Sequence, residues 1–248
     1  MTAKIGLQLY SVRDRLPADF EGTVRKIAHM GYAGVETAGF PGTTPLKAAA
    51  LFKDLGLIVS STHNFPPPKG EKFEEIKKIL SILNCKDLVS GFGREQFKTL
   101  KTTQAACDEI NACNKLCQEN GLTLSIHNHS WEYIEVEGTY PFRYLLDHTD
   151  PAVLFELDTY WTKYAGFDPV VALKEISKRI RLLHVKDGLG GKDQPNVAVG
   201  SGVMDVKSLI EAGKDNIEWL IVEFDRCETD ILDAIEKSYQ YLNGVLKG

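Results

Sequence analysis

The sequence predicts an α/β fold, a single (β/α)8 barrel over residues 1–248, from three observations. Eight short apolar runs alternate with eight helical patterns, which implies a parallel sheet covered by helices. Eight strand-plus-helix units are enough for such a sheet to close, and 248 residues is about the length that one closed barrel needs. No composition break marks a linker. The Pro/Gly-rich stretches, FPPPKG at 65–70 and DGLGGKDQPNVAVGSG at 187–202, read as loops between periodic segments.

The elements follow in order. KIGLQLY (4–10) is the first strand-like run and ADFEGTVRKIAHM its helix. AGVETA (33–38) precedes TPLKAAALFKDL, LIVSSTH (57–63) precedes EKFEEIKKILSIL, and DLVSGF (87–92) precedes the long TLKTTQAACDEINACNKLCQEN. The second half pairs LTLSIHN (122–128) with YPFRYLLDH and VLFELD (153–158) with DPVVALKEISKR. IRLLHVK (180–186) then pairs with DVKSLIEAG, and EWLIVEF (218–224) with TDILDAIEKSYQYLNGVL. Gly31, Gly56, Gly121 and Gly213 each follow a helical pattern, where a left-handed C-terminal residue is wanted.

Charge and composition narrow the function classes. A formal charge of −5 gives no electrostatic reason to seek a nucleic-acid backbone, which is met by clustered Lys and Arg. No run of about 18 apolar residues suggests a membrane span. The opening MTAKIGLQLYSVRD moves straight into a strand pattern rather than a basic-then-apolar leader. A cytoplasmic protein acting on a small polar molecule is expected. An odd count of five cysteines argues against a disulfide framework, so reduced thiols are expected, with Cys113 and Cys117 on one helical face.

Four residues at strand ends carry the chemistry. His127, Asp158, His184 and Glu223 end or follow consecutive apolar runs, 31, 26 and 39 residues apart, roughly one per strand-plus-helix unit of about 30 residues. Side chains alternate along a strand. In LTLSIHNH, Leu122, Leu124 and Ile126 oppose Thr123, Ser125, His127 and His129. By the same parity Glu156 and Asp158 oppose Phe155 and Leu157, and His184 and Lys186 oppose Leu183 and Val185. Glu223 and Asp225 likewise oppose Val222 and Phe224. The polar set therefore points inward at the carboxyl ends of the strands, the face where barrel active sites lie. Two imidazoles and two carboxylates make a shell for one divalent cation; without one, adjacent buried carboxylates would repel at a cost of several kcal/mol.

The strings GYAGVETAG, STHNF, LSIHNHSWEY, FELDTYW, RLLHVKDG and WLIVEFD resemble the xylose-isomerase-like TIM barrel superfamily, in particular the sugar phosphate isomerase/epimerase branch and a subgroup carrying HNH. The resemblance covers essentially the whole chain. It implies one divalent metal (Mn, Co, Mg or Zn) on His127, Asp158, His184 and Glu223. It also implies a reaction through an enediolate beside a carbonyl, with Glu223 as the acid/base candidate on one face and His127 or His129 on the other.

Two departures stand out. Family epimerases usually carry Glu where this chain has His127. They also carry a His and an Arg where this chain has Trp161 and Gly190. Lys186 and Asp187 are then expected as the replacement polar pair, Lys186 catalytic and both binding substrate. His63, Glu36, His129 and Trp161 complete the expected substrate contacts, and Glu36 more readily braces a neighbouring imidazole than reacts. Gln8 shares this inward parity, and Trp131 and Tyr160 join Trp161 as candidates for an apolar wall.

The expected activity is a metal-dependent isomerase or epimerase of a sugar or polyol. The alternative is a lyase, hydrolase or dehydratase of a keto-sugar, keto-glycoside or inosose, because the same enolate eliminates when a leaving group sits β to the carbonyl. DTYW stands where the superfamily's DNA endonucleases resemble DTCH, so nucleic acid is not expected as a partner. A homo-oligomer is compatible with the sequence.

Overall fold

The computed structural model describes residues 3–190 and 194–248. Its strands are β1 (Lys4–Gln8), β2 (Gly34–Thr37), β3 (Ile58–His63), β4 (Asp87–Ser90), β5 (Thr123–His127), β6 (Leu154–Asp158), β7 (Ile180–Val185), β8 (Asp187–Gly188), β9 (Asn196–Val197) and β10 (Trp219–Val222). Eight of them form one closed parallel barrel in the order β1-β2-β3-β4-β5-β6-β7-β10, and β8 and β9 make a separate antiparallel pair in the loop after β7. Closure is set by β1 against β10, with Leu7 opposite Val222. The predicted (β/α)8 barrel is the observed fold.

The helices are α1 (Phe20–Met30), α2 (Pro45–Asp54), α3 (Glu71–Ile82), α4 (Leu100–Glu119), α5 (Pro141–His148), α6 (Thr159–Tyr164), α7 (Pro169–Glu175), α8 (Val206–Gly213) and α9 (Ile231–Lys247). Their starts are written in side chains. Asp19 accepts from Gly22 N, and Thr44 accepts from Lys47 N just before Pro45. Thr99 and Thr102 form a reciprocal capping box at the head of α4. Such caps are worth about 1 kcal/mol each.

Three local expectations change. KIGLQLY leaves the sheet at Gln8, whose side-chain oxygen accepts from Tyr10 N at 3.1 Å and turns Leu9–Val12 into a 3-10 helix. One helical pattern was expected between β6 and β7, yet α6 forms first on TYWTKY, because Asp158 caps it by accepting from Trp161 N at 2.8 Å. Gly31 adopts φ 104° as expected, but Gly213 stays within the last turn of α8. A Cβ there would lie 2.0 Å from Cδ1 of Ile217, so close packing, and not a left-handed turn, requires that glycine.

Two apolar layers result. Outward-facing Leu7, Val35, Leu124, Phe155, Leu157, Leu183 and Leu220 pack under the helices with Val24, Phe52, Ile110, Phe142 and Ile235. Each fully buried side chain of this size contributes about 1.5–3 kcal/mol. Inside the barrel, Val89, Leu182, Trp219 and Ile221 form a separate plug. Leu182 and Trp219 pair across β7 and β10, one step below His184 and Ile221. The plug closes the lower barrel, so the inward polar residues gather above it.

Candidate metal centre at the carboxyl ends of the strands

His127 ends β5, Asp158 ends β6, His184 lies one residue before the end of β7, and Glu223 follows β10. All four are buried, and one ligand atom from each lies within 4.8 Å of the others. The His127 and His184 rings are 4.7 Å apart, and Nδ1 of His184 is 2.9 Å from Oε2 of Glu223. Capping α6 uses Oδ1 of Asp158. Its Oδ2 is buried without an aligned hydrogen bond and is met by an ion pair to Lys186 at 2.8 Å. An Asp158 oxygen not used by the cap, a second carboxylate and two imidazoles suit a cation of intermediate hardness.

Lys186, just past β7, is almost wholly buried. Its Nζ is 2.8 Å from Asp158 Oδ2, 2.6 Å from Glu223 Oε2 and 2.8 Å from Asp225 Oδ2. Burial opposes the ammonium, but the three carboxylates outweigh it and hold Lys186 well above the usual range. Glu223 is in turn held well below the carboxylate range, since Lys186 and His184 overcome its burial. Asp158, dominated by burial, is pushed up to about 6. Asp225 shares Glu223's parity but was not singled out from the sequence, and it supplies the outermost of the three counter-charges.

Below these lies a floor of acids. Glu36, fully buried, accepts short hydrogen bonds from Gln8 and Ser61 and lies 3.0 Å from Nε2 of His184. It braces an imidazole there. The sequence reading overlooked Glu156, although parity already turned it inward. Its Oε2 is 3.1 Å from Nε2 of His63, 3.1 Å from Nδ1 of His127 and 3.2 Å from Nε2 of His184, while Oε1 has no hydrogen-bond partner. A second ligand-competent group, His63, His127, Glu156 and His184, results. Irregular register falls at these acids, between Val35 and Glu36 and between Phe155 and Glu156; such bulges re-aim side chains.

The imidazoles differ in charge preference. Burial lowers His127 to about 3 and His129 to about 2. Burial also opposes a charge on His184, but Glu156, Glu223 and Glu36 outweigh it and hold that ring well above the usual histidine range. His129 stacks on Trp131 at 4.1 Å, with Trp161 at 6.4 Å, and its Nδ1 has no partner. His63 sits against Glu156, with Glu36 at 3.8 Å, and is partly exposed. Trp161 lies 5.6 Å from the Lys186 ammonium.

Asp187 requires a correction. It was expected to face the substrate beside Lys186, but it is 1% exposed and bonds only to backbone. Oδ1 accepts from Gly188 N and Met204 N, and Oδ2 from Gly200 N and Gly202 N. With four donors the carboxylate is saturated, so it ties the loop after β7 together. Parity could not have revealed this, because it ends where the strand ends.

A model of the xylose isomerase-like TIM barrel family matches residues 24–244. The chain belongs to that family. An inosose dehydratase of Bacillus anthracis is 35% identical over 190 residues, which are 68% of this chain and 63% of that protein. The chain thus spans less than two thirds of the length of that relative. A sugar phosphate isomerase/epimerase of Parabacteroides distasonis superposes with a TM-score of 0.84 at 25% identity, over 98% of this chain and 94% of the other. The IolI protein with a bound zinc atom gives 0.75 at 15% identity, over 98% of each chain; at that identity the likeness is one of fold. Among the described residues no helix is long and apolar enough to cross a membrane.

Proposed function

We propose that this chain is a divalent-metal-dependent lyase that removes water from a keto-polyol of the inosose kind. The metal is assigned to His127, Asp158, His184 and Glu223. The observation that carries the reading is the buried cluster of those four with the Lys186 ammonium against two of its carboxylates. The 35% identity to an inosose dehydratase favours dehydration over the isomerisation first expected from the sequence.

When bound, the cation would supply a positive centre for the substrate carbonyl and for charge developing on its oxygen. The chain's own residues do the rest. His129, which burial keeps neutral, takes at its unpartnered Nδ1 the proton from the carbon beside the carbonyl, the nearby Glu223 charge favouring the imidazolium so formed, and that C–H pair becomes the enolate double bond. The enolate collapses as the C–O bond one carbon further breaks. Lys186 donates a proton to the departing hydroxyl, which leaves as water. Trp131 and Trp161 flank His129 and exclude solvent from that face. In this reading Glu223, expected as both ligand and acid/base group, serves as a ligand.

A second reading, isomerase or epimerase, is favoured by the likeness to the Parabacteroides protein and uses the same first proton transfer. Manganese-loaded protein, offered inososes, ketoses and 3-keto-glycosides in deuterium oxide, separates the two. Product lighter by one water supports the lyase. Deuterium on carbon without loss of water supports the isomerase, and no exchange with any of them refutes both.

A further inference from the structure

We infer that Glu156 is a positioning residue that fixes which ring nitrogen of His127 is offered to the metal and helps orient His184, an inference that rests on the metal centre proposed above. Three imidazole nitrogens converge on its single oxygen Oε2: Nε2 of His63 and Nδ1 of His127 at 3.1 Å, and Nε2 of His184 at 3.2 Å. A carboxylate oxygen only accepts, so each nitrogen facing it carries hydrogen. For His127 the proton therefore stays on Nδ1, and Nε2 is the nitrogen left with a lone pair. His184 differs: Nε2 faces Glu36 Oε1 at 3.0 Å as well as Glu156, and Nδ1 faces Glu223 at 2.9 Å, so both its nitrogens carry hydrogen and Nδ1 is the one turned to the metal side.

The two ligand-competent groups, which share His127 and His184, are thereby ranked. Around Glu156 the nitrogens present hydrogens to Oε2, so of that group only Oε1, which has no hydrogen-bond partner, is left to offer a cation. On the other side His127 is left a lone pair on Nε2, whereas His184 presents to Glu223 a proton on Nδ1 that it gives up when a metal binds. Metal-bound histidines commonly give their second N–H to a carboxylate, which orients the ring, and removing that partner typically costs 10–100-fold in metal affinity. Here one carboxylate serves both imidazoles from beneath.

The test uses the full chain labelled with 15N in histidine, and Co2+ as the probe. In the metal-free native protein, imidazole 15N shifts are expected to place the His127 proton on Nδ1; a proton on Nε2 overturns the inference with no variant needed. Glu156→Gln keeps the shape and removes the charge. It is expected to mix the His127 tautomers, to weaken Co2+ binding 10–100-fold, and to alter the visible absorption of bound Co2+. Glu156→Asp, which restores the carboxylate, should recover part of the affinity and serves if the Gln variant does not fold. Unchanged tautomers and affinity in Glu156→Gln, with Asp158→Asn still losing Co2+, sink the role of Glu156 and leave the metal centre standing. Retention of Co2+ by Asp158→Asn together with its complete loss from Glu156→Gln overturns both, since the metal would then sit on the His63 side.

Discussion

Nζ of Lys186 lies 2.6 Å from Oε2 of Glu223, so an ammonium and a candidate metal ligand neutralise one another. Asp158 is bound to the same ammonium at 2.8 Å. A divalent cation arriving on Asp158 and Glu223 must share those oxygens with Lys186 or turn it toward Asp225 and the substrate. Metal affinity and lysine placement are coupled through two carboxylates.

That coupling predicts the behaviour of Lys186→Met. Removing the ammonium leaves Asp158, Glu223 and Asp225 facing one another in a buried site, and breaking a buried ion pair costs about 3–5 kcal/mol. The metal-free variant should melt well below the native protein, bind Mn2+ more tightly and regain most of its stability when loaded, yet fail to turn over. Thermal unfolding with and without Mn2+ checks this. A metal-free variant as stable as the native chain contradicts it.

The ligand assignment itself predicts that Asp158→Asn and Glu223→Gln each lose the metal. Asn is the right replacement at 158, since an alanine would also remove the cap on Trp161 N, worth about 1 kcal/mol, and confuse binding with folding. Metal analysis after dialysis decides. Full occupancy in both variants refutes the assignment.

Strand parity made the layer of His127, Asp158, His184 and Glu223 legible before any coordinates, because apolar outward residues betray the inward ones. Depth was not legible. Glu156 and Asp158 have the same parity, and only the barrel's register places one beneath the imidazoles and the other beside Lys186. Helix α6 was hidden because six residues are too few to show a period, and its start depends on a residue read only as a ligand. The eight barrel strands were plain in the sequence, since each is buried against helices and cannot be polar on that side.

The pH behaviour of His127 differs from what an exposed histidine would give. Burial lowers its folded pKa to about 3, whereas the unfolded chain titrates near 6.5. Below about pH 6.5 the unfolded state binds a proton that the folded state refuses. The contribution of this ring to stability is thus complete above that pH and is lost as pH falls toward 3. Metal-free protein should show no His127 imidazole titration between pH 8 and 5, and His127→Gln should flatten part of the stability loss in acid. A titration midpoint near 6.5 in the native chain counts against the buried placement.

The cysteines give a chemical test of the core. Cys85, Cys107, Cys113 and Cys117 are buried, and burial pushes the Cys85 and Cys107 thiols up to about 12 and about 11. Thiolate is the reactive form, so both should resist alkylation at pH 8. Cys227 is only half-buried. Iodoacetamide on the native protein should label Cys227 first and leave the other four until unfolding, as read by peptide mass spectrometry. Rapid native labelling of Cys107 or Cys117 is incompatible with this packing of α4.

Asp187 separates a loop brace from a substrate ligand. Its two oxygens accept from four backbone N–H groups spread from Gly188 to Met204, and a Cβ on Gly202 would lie 2.2 Å from its Oδ1. Replacing the carboxylate by alanine strands those donors, and unsatisfied buried groups cost about 1–3 kcal/mol each where water cannot reach them. Asp187→Ala should therefore lower stability by about 2–3 kcal/mol, speed proteolysis within 187–204, and leave Co2+ affinity near native. Gly202→Ala should reproduce the same pattern by steric displacement, although it removes no polar atom. A substrate ligand behaves otherwise: Asp187→Ala would raise KM with stability intact, and Gly202→Ala would not mimic it. Agreement of the two variants in denaturant midpoint and proteolysis assigns Asp187 to the loop; a KM effect alone returns it to the substrate.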